Sequence, residues 1–257
     1  MSLPGNIDDL PVDLVAALRT VSRATHLLVA SDFDGTLAPI VNHPGDARPL
    51  PEAAAALRAL SDLPATTAAL ISGRALRDLA ALSGMTAPVH LVGSHGAEFD
   101  TGFALEIDQV LLERIETELT EIAGRFPGVT VEPKLASVAL HVRNAAPADG
   151  DAALAAAEAA AQDWDAETTT GKAVLEFAVI STDKGEAIDL LRDQAGADAV
   201  VFFGDDVTDE KAFRRMRSSD IGVKVGPGET LAQFRVDSPE DVATALEVLL
   251  GDRRKQS

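Results

Sequence analysis

A short apolar run that ends abruptly in two aspartates constrains the fold of this chain more than any other feature. Residues 27–30 have the composition of a buried strand, and Asp32 and Asp34 follow almost directly. Side chains two positions apart in extended backbone lie on the same face, so both carboxylates can converge on one point. Gly35 then permits a sharp turn. Because unpaired carboxylates this close repel each other, the segment predicts a divalent cation at a strand end, where open α/β sheets bind ligands.

Two other interpretations of this segment are a calcium loop and a solvated turn. An EF-hand loop requires acids at its first, third and fifth positions and Gly at its sixth. Here Gly35 falls fourth and Thr36 fifth, so the calcium loop is excluded. A solvated turn is the ordinary interpretation of an isolated pair of aspartates. Three further motifs downstream favour the metal site.

These motifs also stand at the ends of apolar runs or at the start of a helix. Ser72, with Gly73 and Arg74, follows the apolar run 68–71, and Lys184 begins a helical pattern. Four acids lie within the six residues 205–210, after the apolar run 200–203. A single Ser or Lys in such a place is common, but four acids at a strand end are difficult to explain as surface solvation. The ordered set indicates one shared site.

This ordered set resembles the motifs of haloacid dehalogenase-like phosphatases, in which an aspartate attacks phosphorus. It is more closely similar to trehalose-6-phosphate phosphatases. The resemblance extends from about residue 27 to residue 225 and includes the segments 93–98, 132–134, 139–143 and 171–176. It implies an enzyme of trehalose biosynthesis that hydrolyses trehalose 6-phosphate to trehalose and phosphate with Mg²⁺. The substrate would be a phosphorylated disaccharide.

The resemblance also implies a role for individual residues. Asp32 would attack phosphorus and form an aspartyl-phosphate, although the spacing alone does not decide which of the two acids attacks. Asp34 would serve as the acid and then the base, and Ser72 and Lys184 would contact the phosphoryl group. Mg²⁺ would be held by Asp32, the backbone carbonyl of Asp34 and Asp205, with Asp206 and Asp209 behind them. The implied substrate-binding residues are Phe33, Gly35, Thr36, Glu98, Glu132, Lys134, His141, Arg143 and Glu176.

Several of these roles have a structural alternative. Asp206 and Asp209 could cap a helix near Thr208. The polar residues between 132 and 176 could form an exposed sheet face, and Lys134 and Glu176 are the preferred sugar contacts among them. For His95 and Glu98, shaping a loop is as reasonable as contacting sugar. Arg74 is expected to hold the acidic cluster rather than touch the substrate.

The pattern of apolar periodicity predicts an α/β fold with a doubly wound, mostly parallel, Rossmann-like core and an inserted α+β layer, which resembles the cap domain of the family. We expect the first part of the core at 1–107, the cap at 108–180 and the second part of the core at 181–257. The predicted helices are 7–23, 51–60, 75–82, 109–125, 149–163, one from 184, 208–216 and 239–251. The predicted strands are 26–31, 66–71, 89–93, 129–133, 137–142, 166–170, 174–179, 199–203 and 220–224. Such an insertion would act as a lid.

Composition narrows the function further. The net charge of −19 argues against a nucleic-acid partner. No run approaches the ~20 apolar residues that cross a bilayer, and the first residues lack the pattern of a signal peptide. The absence of cysteine excludes disulfides and thiol chemistry and fits a cytoplasmic protein, which we expect to be monomeric. The basic residues 253–255 are expected to be a solvated tail.

Two alternatives to this function remain at the level of sequence. The chain could be a phosphatase of another phosphosugar, such as sucrose or mannosylglycerate phosphate, because only the cap residues would differ. It could also be a non-catalytic module that senses phosphosugars. A module without catalytic activity would not require Asp32 or Lys184. Both residues are present, which favours an enzyme.

Overall fold

The computed structural model describes residues 7–103, 107–171, 173–180 and 182–256, without the side chain of Phe103. Lys172 in the predicted hairpin turn, and residues 104–106 and 181 near the predicted domain boundaries, lie outside the described part. The chain divides into a core unit, Met1–Ala104 with Thr182–Ser257, and an inserted unit, Leu105–Ser181. Among the described helices, none combines the length and the apolar character that a membrane crossing requires.

The described strands and helices alternate through most of the chain. The strands are β1 (Leu27–Ser31), β2 (Thr66–Ile71), β3 (His90–Gly93), β4 (Glu98–Phe99), β5 (Gly102–Phe103), β6 (Thr130–Pro133), β7 (Ser137–His141), β8 (Glu167–Gly171), β9 (Val174–Ala178), β10 (Ala199–Gly204), β11 (Ile221–Val225) and β12 (Phe234–Val236). The α-helices are α1 (Val12–Val21), α2 (Pro51–Ser61), α3 (Leu76–Ser83), α4 (Gln109–Ala123), α5 (Pro147–Ala160), α6 (Lys184–Ala195), α7 (Asp209–Arg214) and α8 (Pro239–Arg254).

The core unit is built on an eight-stranded sheet in the order β12-β11-β10-β1-β2-β3-β4-β5. The six strands from β12 to β3 are parallel. Strand β4 pairs antiparallel with β3, and β5 pairs antiparallel with β4. Strand β1 pairs with β10 on one side and β2 on the other, so the chain order reverses there. Ligands of open α/β sheets bind at the carboxyl end of such a reversal.

Apolar side chains of the central strands serve two separate cores. In β1, Leu27 and Val29 belong to one apolar cluster, whereas Leu28 and Ala30 belong to another. The first cluster includes residues of α1, α2 and α8, and the second includes residues of α6 and α7. Both faces of the sheet are therefore covered, as is typical of parallel sheets. The predicted α/β class with a mostly parallel core is confirmed.

The inserted unit contains a four-stranded antiparallel sheet in the order β6-β7-β9-β8. Its buried face packs against α4 and α5, and the ring of Trp164 meets that of Phe177 edge to face at 5.0 Å. Glu132, Ala139, Glu176 and Thr169 stand in register across the four strands. Since residues in register share a face and alternate with the buried Val138 and Phe177, this set lies on the opposite, polar face.

Three predictions about the elements were wrong. The helix expected at 7–23 is a 3₁₀ turn, Ile7–Asp9, followed by α1, because Pro11 cannot supply an amide hydrogen bond inside a helix. The short strands β4, β5 and β12 were not predicted. Arg253 is not part of a solvated tail: it is 4% exposed, and its guanidinium donates to the carbonyl oxygens of Ser22 and Ala65.

Candidate active site

The carboxyl end of β1 brings Asp32 to the edge of the sheet. Its amide donates to the carbonyl oxygen of Phe203 in β10 at 2.9 Å, which continues the parallel pairing by one residue. Asp205 follows β10 and therefore emerges at the same edge. Asp32, Asp205 and Asp209 each place a carboxylate oxygen within 4.8 Å of the others. The structure thus brings together acids from two segments that are far apart in the sequence.

Close packing between Gly35 and Asp205 fixes this approach. Gly35 has a φ of +81°, and a Cβ atom on it would lie 2.1 Å from Oδ2 of Asp205. The Thr36 hydroxyl, which is fully buried, lies 3.5 Å from the other oxygen of the same carboxylate. A glycine at position 35 is therefore required both by the backbone conformation and by the space that Asp205 occupies.

Lys184 is the cation within this cluster of acids. Asp183 caps α6 by accepting from the amides of Gly185 and Glu186, which places Lys184 in the first helical turn. The Lys184 ammonium is 3% exposed and donates to Oδ1 of Asp32 and to Oδ1 of Asp209, each at 2.7 Å. One ammonium therefore joins two buried carboxylates that are distant in sequence.

Burial and charge shift the pKa values of this group. Burial raises the pKa of Asp32 to about 8; Lys184 opposes that shift, and Asp209 and Asp205 add to it. Burial alone would lower the pKa of the Lys184 ammonium, but the charges of Asp32 and Asp209 outweigh it and raise the pKa. The lysine thus stays charged, and the carboxylates need positive charge near them.

Asp209 also shapes the loop that carries Asp205. Its Oδ2 accepts from the amides of Asp205 and Asp206, both at 2.9 Å. The Asp206 side chain makes a local contact instead: its Oδ1 accepts from the amide of the next residue, Val207. Asp206 is not a member of the three-acid group, and its predicted contact with metal stays a prediction. The helix α7 has no side-chain cap at Thr208, so the predicted capping role is not seen, and Asp209 accepts instead from amides of the loop before the helix.

Asp34 forms a two-fold ion pair with Arg74. The guanidinium Nε and Nη2 donate to the two oxygens of Asp34, each at 2.6 Å. Arg74 also lies over the ring of Phe33, with Cζ 5.6 Å from the ring centroid. The prediction that Arg74 holds the acidic residues is confirmed for Asp34. Because Phe33 is fully buried, its ring is not available to a ligand.

Ser72 and Glu98 both take part in local turns. Ser72 is 1% exposed and follows β2, the neighbour of β1, and its Oγ accepts from the amide of Arg74 at 3.2 Å. The two oxygens of Glu98 accept from the Leu76 amide at 2.7 Å and the Ser94 hydroxyl at 3.0 Å. Glu98 therefore stabilises the turn containing Ser94 and the start of α3. Its contact with sugar stays a prediction.

Four of the five predicted sugar-binding residues of the inserted unit form two polar pairs. Lys134 donates to Oε2 of Glu176 at 2.7 Å, and Ser137 donates to Oε1 at 2.6 Å. Burial would raise the pKa of Glu176, but these two hydrogen bonds outweigh it and hold the pKa below its usual value. His141 Nε2 lies 2.7 Å from Oε2 of Glu132. Arg143 is exposed beyond the end of β7.

Sequence reasoning missed Lys224. It is in β11, a strand that is buried throughout, and its ammonium donates to the carbonyl oxygen of Asp205. A single lysine within the apolar run 221–225 was the available signal. Because lysine is rarely buried without a partner, a lysine within a predicted buried strand indicates a side chain with a specific contact.

Comparison with known proteins agrees with this arrangement. The family model described as Trehalose-phosphatase matches residues 30–240. A trehalose-phosphate phosphatase of Mycobacterium leprae is 35% identical over 92% of this chain and 62% of its own length. The trehalose-6-phosphate phosphatase of Escherichia coli is 33% identical over 85% of this chain and 84% of its own. This chain spans about three-fifths of the length of the mycobacterial trehalose-phosphate phosphatases.

Solved structures are similar over nearly the whole chain. A structure of Aspergillus fumigatus trehalose-6-phosphate phosphatase superposes with a TM-score of 0.71 at 25% identity, covering 92% of this chain and 97% of that one. A haloacid dehalogenase-like hydrolase from B. subtilis, with a TM-score of 0.55 at 14% identity, shares the fold. The chain therefore belongs to the trehalose-phosphatase family.

Proposed function

We propose that this chain is a Mg²⁺-dependent phosphatase that hydrolyses trehalose 6-phosphate to trehalose and phosphate. The observation that carries the proposal is the buried Lys184 ammonium between Asp32 and Asp209, with Asp205 beside them. Hydrolysis of a phosphate ester depends chiefly on positioning and on neutralising charge. Membership in the trehalose-phosphatase family supports the choice of substrate.

The donor set fits a magnesium ion. Three carboxylates with oxygens within 4.8 Å of one another, and no cysteine in the chain, suit a hard cation that prefers oxygen ligands. Asp32, the Asp34 carbonyl and Asp205 would hold Mg²⁺, with Asp206 and Asp209 behind them. When bound, the ion would offset the negative charge of the phosphoryl oxygens.

In the first half of the reaction, a carboxylate oxygen of Asp32 bonds to phosphorus as the bond from phosphorus to the sugar oxygen breaks. The leaving oxygen takes a proton from Asp34, which gives free trehalose and an aspartyl-phosphate. Lys184 and the Ser72 hydroxyl stabilise the phosphoryl oxygens. Gly35 and the amide of Phe33 would approach the phosphoryl group closely, and Thr36 would orient the loop.

In the second half, Asp34 takes a proton from water while that water attacks phosphorus. Phosphate leaves, Asp32 is regenerated as a carboxylate, and Asp34 again carries its proton. A carboxylate that receives two hydrogen bonds from a guanidinium is purely an acceptor. Asp34 therefore has to give up at least one bond to Arg74 before it can protonate the sugar oxygen.

For the sugar, we propose that the inserted unit has the role of a cap and that its polar sheet face supplies the contacts. Lys134 and Glu176 are the preferred contacts, because their pairing holds both groups in defined positions. The residues expected to contribute further contacts are Glu132, His141, Arg143 and, from the core unit, Glu98. A monomeric state and a cytoplasmic location stay predictions, which sedimentation and cell fractionation would check.

The test is phosphate release from a panel of substrates: trehalose 6-phosphate, sucrose phosphate, mannosylglycerate phosphate and glucose 6-phosphate. Trehalose 6-phosphate should be hydrolysed fastest, EDTA should stop turnover, and added Mg²⁺ should restore it. Asp32→Asn should abolish turnover while the protein stays folded. Asp46→Asn, which changes an exposed acid, is the matched control and should behave as wild type.

Three outcomes would contradict the proposal. Faster hydrolysis of another phosphosugar would show that the substrate is wrong. Turnover that survives Asp32→Asn or EDTA would exclude the mechanism. Binding of trehalose 6-phosphate without hydrolysis would instead identify a sensing module.

A further inference from the structure

Lys224 is a buried lysine to which the proposed reaction assigns no role. It stands opposite Gly204 in the pairing of β10 with β11, and its side chain is 5% exposed. Its ammonium donates to the backbone carbonyl oxygens of Asp205 and, at 2.8 Å, of Val225. Lys224 thereby ties the loop after β10 to the end of β11.

With this contact, both the amide and the carbonyl of Asp205 are held by hydrogen bonds. Its amide donates to Oδ2 of Asp209, and its carbonyl accepts from Lys224. Its carboxylate lies against Gly35, where a Cβ atom would collide with it. Gly35, Asp205 and Lys224 also line one cleft of about 350 Å³ in the core unit.

Electrostatics alone gives no reason for a lysine at this position. A positive charge beside a cation site weakens cation binding, because like charges repel. Its two hydrogen bonds to backbone carbonyls give the lysine a geometric role instead. The lysine holds a loop that would otherwise carry its acidic side chains in a wider range of positions.

We propose that Lys224 is a positioning residue for Mg²⁺: by holding the backbone of Asp205, it keeps that carboxylate in the three-acid group. This inference rests on the proposed function for the identity of the ion. Residues that orient metal ligands typically contribute about 10–100-fold to metal affinity.

The experiment is calorimetric titration of the metal-free, full-length protein with MgCl₂. Lys224→Met removes the donor and the charge but keeps an unbranched side chain. Positioning predicts Mg²⁺ binding that is weaker by about 10–100-fold. A purely electrostatic role predicts the opposite sign, because removing a positive charge favours a cation. Lys211→Met, an exposed lysine of α7, is the matched control and should leave Mg²⁺ affinity unchanged or slightly higher.

If Lys224→Met does not fold, Lys224→Arg tests whether Lys224 acts by positioning or by its charge. It keeps the charge and the ability to donate but changes the reach of the side chain. Positioning predicts weaker binding than in the wild type, whereas a role of charge alone predicts unchanged binding. Unchanged or tighter Mg²⁺ binding in folded Lys224→Met, or in Lys224→Arg when only that variant folds, overturns the proposal.

Binding and phosphate release are measured separately, so the two proposals fail separately. Equal Mg²⁺ affinity in the wild type and Lys224→Met, with turnover of trehalose 6-phosphate intact, contradicts only the role of Lys224. A wild type that binds Mg²⁺ but releases no phosphate contradicts only the proposed function. Absence of Mg²⁺ binding by the wild type contradicts both.

Discussion

Lys184 and Asp209 lie 2.7 Å apart, Nζ to Oδ1, and both side chains are almost completely buried. The second oxygen of Asp209 accepts from the amides of Asp205 and Asp206. Asp209 thus connects the ammonium that would face the phosphoryl group with the loop that would face the metal. The position of each depends on the other through this one carboxylate.

Replacing Asp209 should therefore affect stability as well as activity. Asp209→Ala leaves a buried ammonium with one carboxylate fewer and removes the acceptor of two amides. Breaking a buried ion pair in this way costs about 3–5 kcal/mol of the free energy of unfolding. Urea denaturation checks this value. Asp193→Ala, at an exposed acid of α6, should change stability by no more than about 0.5 kcal/mol, and an equally small effect of Asp209→Ala would contradict the expectation.

Mg²⁺ should stabilise the protein, and more strongly as the pH rises. Burial first, and then the neighbouring acids, raise the pKa of Asp32 from 3.8 to about 8, so its proton stabilises the metal-free fold. That contribution is complete below about pH 4 and is lost as the pH rises towards about 8. Since Mg²⁺ must replace the proton, its effect should grow over the same window. At a concentration 100 times Kd, an ion stabilises by about 2.7 kcal/mol.

Thermal unfolding at about pH 6 and about pH 8, with and without MgCl₂, measures this effect. The rise in Tm on adding Mg²⁺ should be larger at the higher pH. Asp205→Asn, which removes one charged member of the three-acid group, should lose most of the rise at both values. A larger rise at about pH 6 than at about pH 8 would be incompatible with proton displacement.

Local sequence pattern was sufficient for the central part of the fold. Strands β1, β2 and β10 lie within one residue of the predicted segments, because continuous apolar runs of this length are typical of buried parallel strands. Strands of two or three residues, such as β4 and β12, show no periodicity that could be recognised. The first helix was predicted too long, because the prediction followed the apolar spacing and did not take account of Pro11.

Contacts that depend on tertiary structure were less accessible to sequence reasoning. The acids Asp32 and Asp205 could be paired in advance, because each follows an apolar run and parallel strands end at one edge. The partners of Lys224 are backbone carbonyls, which carry no side-chain signature in the sequence. The position of Arg253 depends on where the last helix docks, and nothing local in the residues 253–255 distinguishes a buried arginine from solvated ones.

Arg253 should be important for stability despite its place near the end of the described chain. It joins α8 to the end of α1 and the start of β2, through the carbonyls of Ser22 and Ala65 and the hydroxyl of Thr66. Arg253→Met would leave the buried Ser22 carbonyl and Thr66 hydroxyl without that donor, and each unsatisfied buried group costs about 1–3 kcal/mol. We expect a loss of at least about 2 kcal/mol by urea denaturation, against about 0.5 kcal/mol or less for the exposed neighbour in Arg254→Met.

Substitution of Gly35 distinguishes an effect on stability from an effect on metal binding. Gly35→Ala would place a methyl group 2.1 Å from Oδ2 of Asp205 and would also force alanine into a φ of +81°. Gly196→Ala, at the end of α6, meets no atom within 4 Å and has a φ of +60°, so it carries the conformational cost alone. Both variants should lose about 1–2 kcal/mol of stability from the left-handed backbone.

Only Gly35→Ala should also lose Mg²⁺ affinity and phosphatase activity, because Asp205 has to move to admit the methyl group. Calorimetric titration with MgCl₂ and phosphate release from trehalose 6-phosphate, measured on both variants, compare the two effects directly. Equal Mg²⁺ affinity in Gly35→Ala and Gly196→Ala would mean that the position of the Asp205 carboxylate does not limit metal binding. Weaker binding in Gly35→Ala alone would show that the close contact between positions 35 and 205 is a requirement of the metal site and not merely of the turn.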